Sequence, residues 1–389
     1  MKYINIGQIN SKFLIPVFGG LINLVFKFFI KYNPKYGIIG DNPFLFDMYI
    51  YLSLIFSFIP FLILKRKSKR LNLITSEQIK NNDLYKKFTE NKNVIKKNKF
   101  KKYRFVFYST IFDLIQTLIL TLYIPNCVYN MWIFDIIFIS IFSYLFLQAI
   151  IYKHQYISMI FIIIFGFGLN IIAYFKLSDE EDKIKPLEIF IKFLSEICFC
   201  LSIVIIKYNL EKNYCNPYEA CIWQGVYGFI LHSIILAIFC GFELSAYGIK
   251  HPDNLKKYFN EFNYYNDFVV FLAIVVVHFV YNICIFLTCD YFTPTHILIC
   301  SIIKETNLYL QPNSNWTLNI IGIVLLILIA FMFLIFIEVI EINIFKISYN
   351  TKKNIESRSN HETLIEFTNI LSSDDELKFD EEGLIRDTI

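Results

Sequence analysis

Asp113 and Thr117 stand four apart inside one apolar run, and His278 and Asn282 stand four apart inside another. Four residues is about one helical turn, so each pair shares a helix face. Such residues can hold a polar solute or carry a proton, which histidine does near neutral pH. They can equally be hydrogen-bonded links between helices, a role Thr, Asp and His fill in membranes. Trp132 and Asp135, three apart near the start of a further apolar run, carry two readings each. Asp135 is a second carboxylate in a cavity or a solvated group near the interface; Trp132 is a cavity residue or part of an interfacial belt. His296 and Lys304 would supply positive charge for an anionic solute. Lys304 could instead snorkel or pair with Glu305, and Lys27 divides between cavity and snorkelling in the same way. Gln224 and Tyr227 neighbour Gly225 and Gly228, whose spacing suits close helix approach. Glu196, Glu338 and Glu341 fall toward helix ends and read as solvated.

No enzyme constellation stands beside these residues. There is no phosphate-binding glycine loop, no zinc spacing and no Ser/His/Asp set that topology would bring together, so neither cofactor nor metal is expected. The nine cysteines lie mostly in or beside apolar runs and read as small apolar residues. Cys127 and Cys240 both fall on the non-cytosolic side, where a bridge is conceivable.

The elements that must position these groups follow from composition. The chain has 389 residues, 56% of them hydrophobic, and a mean hydropathy of +0.49. A soluble surface needs more polar residues than that. Apolar runs of about 20 residues, enough to span a bilayer, recur near 12–31, 44–64, 104–124, 130–150, 156–175, 188–208, 218–240, 268–289, 293–310 and 318–345. The last is long enough to continue as a helix past the membrane. The first lacks a small-residue cleavage site and reads as a span, not a leader. The expected fold is all-α and integral to the membrane, with about ten transmembrane helices.

Orientation follows from basic residues in loops. The segment 65–104 holds 15 basic residues against three acidic ones, which makes it cytosolic. Alternation then puts both termini in the cytosol. The basic loop is expected to touch anionic lipid headgroups and not nucleic acid. A long loop follows the second span of each half (65–104 and 241–267), and tight turns follow in both. The chain therefore divides into two five-helix repeats, 1–187 and 188–345, with a disordered cytosolic tail at 346–389. Five is odd, so the second repeat is inverted, an architecture that places substrate near the midplane between the halves. The tail ends with Asp380-Glu381-Glu382-Gly383-Leu384-Ile385, the form of an acidic dileucine signal for sorting adaptors, or a plain solvated tail.

Five places together resemble the drug/metabolite transporter superfamily, in its nucleotide-sugar-transporter-like branch (solute carrier family 35, subfamily F). They are Gly19-Gly20-Leu21-Ile22-Asn23 with Lys27; Asn42-Pro43-Phe44; and Phe112-Asp113-Leu114 with Thr117. The fourth is the stretch 196–229 with its charged turn and Gln224-Gly225-Val226-Tyr227-Gly228-Phe229. The fifth is Thr293-Pro294-Thr295-His296 leading to Lys304-Glu305. The resemblance covers about 10–345. The family's seventh-span Glu is Gln224 here, its fourth-span basic residue is Trp132, and its ninth-span basic and acidic positions are His296 and Cys300. Lys304 stands one position out of register with the second basic residue. The resemblance implies a secondary carrier of a small polar metabolite, nucleotide-sugar-like, working by alternating access in an endomembrane (Golgi, endosome, lysosome or vacuole). Loss of charge from the cavity favours a less anionic solute and keeps an amino-acid or drug exporter open. A non-transporting scaffold or receptor is the third reading. Partners open to the chain are the solute, membrane lipid, sorting adaptors at Leu384 and Ile385, and a second copy as a homodimer.

Overall fold

The computed structural model describes residues 4–6, 11–32, 43–66, 92–123, 131–177, 186–213, 215–241, 264–309 and 316–342. Ten α-helices of 12 or more residues lie among the described residues. They are α1 (Leu14–Tyr32), α2 (Pro43–Ile55), α3 (Lys92–Tyr123), α4 (Asp135–Leu147), α5 (Lys153–Leu177), α6 (Pro186–Lys212), α7 (Pro217–Gly241), α8 (Tyr264–Tyr291), α9 (Leu298–Tyr309) and α10 (Trp316–Phe336). Short 3-10 turns, Met131–Phe134 and Pro294–Ile297, lead into α4 and α9. Two three-residue strands, β1 (Ile4–Ile6) and β2 (Ile340–Ile342), pair antiparallel with Ile4 opposite Ile342.

Local chemistry explains these boundaries. Proline opens α2, α6 and α7, where its missing N–H costs nothing and its fixed φ suits the first turn. The Asn216 side chain caps α7 by accepting from the Tyr218 N–H at 3.0 Å. Pro60 cannot donate to the Phe56 carbonyl, and α2 breaks there into a turn at 56–57 before helix resumes at 58–66.

Seven helices are long and apolar enough to cross a membrane: α1, α2 with its continuation, α5, α6, α7, α8 and α10. The 3-10 turns with α4 and α9 give two shorter apolar helices, Met131–Leu147 and Pro294–Lys304. Large apolar side chains such as Val25, Leu145, Ile164 and Ile327 point outward over more than half their surface. Water would penalise that face and hydrocarbon would not. The chain is a helical integral membrane protein.

Two boundaries differ from expectation. Helix α3 starts at Lys92, not at 104, because the basic run KNVIKKNKFKKYR continues the apolar helix instead of forming a loop. Helix α10 stops at Phe336 and does not run on to 345. Glu338 takes a left-handed φ of 62°, the Val339 N–H turns back to the Leu334 carbonyl at 2.9 Å, and β2 follows. The rest of the basic segment, the 242–263 loop, Cys127 and the tail with Leu384 and Ile385 lie outside the described residues, as does the Cys240 side chain.

The most extensive helix contacts are α3 with α6, α2 with α7, α5 with α10, α1 with α8 and α9, α4 with α6, α3 with α7, and α2 with α8. The largest apolar core joins Ile136 and Ile139 of α4, Leu169 of α5, Val204 of α6, Leu298 of α9 and Ile329 of α10. At the α2–α7 crossing a Cβ on Gly225 would lie 2.8 Å from the backbone of Tyr51 and Ile55, and one on Gly228 would lie 2.0 Å from the Tyr51 ring. Only glycine permits that approach.

Candidate functional site

The α2–α7 approach brings Tyr51 to Asp113 of α3. The phenol donates to Asp113 Oδ2 at 2.5 Å, and the Gln224 amide of α7 donates to the same oxygen at 3.3 Å. Asp113 is half-buried, Tyr51 and Gln224 buried. One carboxylate is thus shared by three helices. The other amide atom, Gln224 Oε1, is buried with no hydrogen-bond partner among the described residues. Two turns along α7, His232 packs its ring 4.7 Å from the Tyr51 ring, and its Nδ1 lies 3.1 Å from the Gly228 carbonyl. That carbonyl can only accept, so Nδ1 carries the hydrogen and neutral imidazole leaves a lone pair on Nε2. The sequence does not mark Tyr51 or His232; a tyrosine among 26 carries no signal until a helix crossing selects it.

The other expected residues are sorted into separate places. Thr117 is half-buried one turn beyond Asp113. Tyr227 packs edge-on to Phe107 at 5.4 Å and against Trp223 at 5.6 Å. His278 of α8 sits between Phe26 of α1 and Phe46 of α2, at ring distances of 5.2 and 5.5 Å. Its Nε2 and the Asn282 Nδ2 one turn on are buried without hydrogen-bond partners among the described residues. Lys27 follows Phe26 and is half-buried.

Asp135 and Lys304 are brought into electrostatic reach of one another, together with Glu196 and Lys192 of α6. Asp135 is 1% exposed and neither carboxylate oxygen has a hydrogen-bond partner among the described residues. Glu196 is not solvated: it is 6% exposed and pairs with Lys192 at 2.8 Å, because the start of α6 packs against α4. Trp132, in the turn before α4, is half-buried with its Nε1 unpartnered among the described residues. Glu338 is half-buried, with 21% of its side chain exposed. Its carboxylate lies 3.2 Å from the fully buried His154 ring of α5, but out of line for a hydrogen bond. The Glu341 side chain lies outside the described residues.

His296 stays apart from Lys304. It accepts or donates at Thr293 Oγ1, 2.9 Å away, and stacks on Phe292 at 4.8 Å. Near it Lys207, 6% exposed, reaches the Asp290 carbonyl at 3.5 Å and Glu211 at 2.9 Å. This is the end of α6 where Lys102 of α3 meets Glu219 of α7 at 2.7 Å and Tyr103 donates to the same carboxylate at 3.0 Å. Asn209 donates to the Lys102 carbonyl at 3.1 Å. Nearby, in the α6–α7 turn, burial first and the Glu219 charge second push the Cys215 thiol up to about 12. At the opposite end of α6 a cavity of about 510 Å³ opens between Met131, Phe134, Phe167, Asn170, Phe190 and Phe193. It is mostly apolar, and none of the sequence-selected residues line it.

No protein-family model matches the chain, and no curated protein matches it. Among the described residues no group of three or more His, Cys, Asp or Glu side chains could hold a metal ion. What the Asp113 cluster offers is a carboxylate, an amide oxygen and a phenol between α2, α3 and α7.

Proposed function

We propose that this chain is a secondary carrier of the drug/metabolite transporter type, built from α1–α5 and α6–α10 as inverted repeats. It moves a small polar organic metabolite across an internal membrane by alternating access. The observation that carries this reading is the Asp113 carboxylate, held by Tyr51 of one half and Gln224 of the other. A carboxylate among spanning helices is costly unless it faces protein or water, and it marks a solute or ion path.

The helix pairings support the repeat. Renumbering each helix by five turns the α3–α6 contact into α8–α1, α4–α6 into α9–α1, and α3–α7 into α8–α2. The α2–α7 and α5–α10 contacts map onto themselves. Two halves of five spans each, exchanged by this operation, run in opposite directions across the bilayer, and the α2–α7 and α5–α10 seams are where they would rock. The cytosolic termini, endomembrane address and adaptor recognition through Leu384 and Ile385 belong to the same proposal.

The test is uptake by proteoliposomes holding the full chain, across nucleotide sugars, amino acids, amines and organic anions, with and without a pH gradient. Saturable flux that Asp113→Asn abolishes is expected. Absence of flux for every class would turn the reading toward a scaffold, and undiminished flux in Asp113→Asn would take Asp113 out of the path.

A further inference from the structure

We infer that the cluster of Tyr51, Asp113 and Gln224 binds a small organic ammonium group, which makes the solute of the proposed carrier a cationic amine and not a nucleotide-linked anion. The inference rests on that carrier reading for transport but not for binding.

Tyr51 and Gln224 both donate to Asp113 Oδ2, so neither engages Oδ1. The Tyr51 phenol has spent its one hydrogen, and its oxygen keeps lone pairs. Gln224 is 6% exposed, and its Oε1 has no hydrogen-bond partner among the described residues. A buried acceptor without a donor is costly. The cluster therefore holds three oxygens beyond the shared Oδ2, namely Asp113 Oδ1, Tyr51 Oη and Gln224 Oε1, and every one can only accept.

An ammonium group is the complement: three donors, no acceptor, one positive charge. The charge balance agrees. The groups facing Asp113 are Tyr51 and Gln224, both neutral. An anion here would meet acceptors and negative charge, which discriminates strongly against it. A bare divalent cation prefers about six or more oxygen ligands, more than these three side chains supply. The Gln224 position accounts for specificity as well. A carboxylate there would have doubled the charge, whereas the amide supplies one acceptor while clamping Asp113 with its own N–H.

The experiment uses the full chain in lipid nanodiscs and reads thermal unfolding against added methylammonium, putrescine, tetramethylammonium, sodium chloride at matched ionic strength, and uridine monophosphate. Methylammonium and putrescine are expected to raise the midpoint in a saturable way. Tetramethylammonium, a cation without N–H donors, sodium and the nucleotide are not. Asp113→Asn should weaken apparent binding about tenfold or more, the worth of one charge-assisted hydrogen bond. Gln224→Glu should tighten it, Gln224→Leu should weaken it, and Glu211→Gln, at the far end of α6, should leave it unchanged. Should Asp113→Asn fail to fold, the two Gln224 variants decide. The inference is overturned by no saturable shift with either amine, by equal protection from tetramethylammonium or sodium, by protection from the nucleotide alone, or by amine binding that ignores Asp113 and Gln224. Uptake of labelled methylammonium separates the two readings. Binding that depends on Asp113 without uptake removes the carrier and keeps the site; uptake indifferent to Asp113 keeps the carrier and removes the site.

Discussion

Lys102 of α3 and Glu219 of α7 meet at 2.7 Å, and Tyr103 adds a second donor to the same carboxylate. The pair joins α3 to α7 at the end that carries the basic segment, away from the open cavity beside Phe190. In an alternating-access cycle it would break whenever that end opens. Both side chains are mostly buried, with 14% and 19% of their surface exposed. A double-mutant cycle with Lys102→Met and Glu219→Gln should return a coupling of about 1 kcal/mol in thermal unfolding. Zero coupling would show that the pair does not hold the halves.

The two glycines of α7 should differ in what they break. At Gly225 a methyl group meets the backbone of α2, so Gly225→Ala must push the helices apart and should destabilise by about 1–3 kcal/mol. At Gly228 it meets the Tyr51 ring, which can turn away only by leaving Asp113. Gly228→Ala should therefore lose more amine binding than stability, and Gly225→Ala the reverse. Parallel unfolding and binding measurements separate them.

Glu196 and Lys192 form a pair with little access to water. Lys192→Met strands Glu196 near Asp135 and should cost about 3 kcal/mol. The double variant Lys192→Met with Glu196→Leu removes both charges and should recover most of that loss. Chemical denaturation of the three variants checks the order.

Cys215 gives a pH dependence. Its thiol rises from 9.0 to about 12, through burial foremost and then Glu219, opposed in part by Lys102. A raised value favours the neutral thiol in the folded state. Its contribution to stability is complete below pH 9 and fades as pH climbs toward 12. Peptide-resolved alkylation with N-ethylmaleimide at about pH 8 should leave Cys215 unlabelled in the folded protein and label it after unfolding.

For the sorting proposal, Leu384→Ala with Ile385→Ala should move a fluorescent fusion away from its resident membrane. An unchanged distribution would leave the tail as a solvated extension.

Much of the scaffold was legible beforehand because lipid allows so few solutions. Span-length apolar runs must become helices, since no other single-chain segment satisfies its own backbone there. The ends of those helices were less legible. The start of α3 at Lys92 lies in a basic run that composition alone reads as loop, and the stop of α10 needs the left-handed turn at Glu338 and a strand partner at the other end of the described chain, Ile4 against Ile342, that no local pattern announces. Within the site, Asp113 and Gln224 stood out because polar residues in apolar runs are expensive. The burial of Glu196 is not legible in the sequence, because a position near a helix end suggests water, whereas α4 covers it.

By itself the sequence determined that this is a helical membrane protein and which few side chains break the apolar pattern, because the hydrophobic effect acts on composition and period. Only the tertiary structure decided which of those side chains meet. Helix crossings set by Gly225 and Gly228 carry Tyr51 to Asp113, while His278 is enclosed by aromatic rings and Asp135 is drawn toward the α6 ion pair. Which faces touch depends on packing between helices far apart in the chain, and residue spacing within one helix holds no information about that.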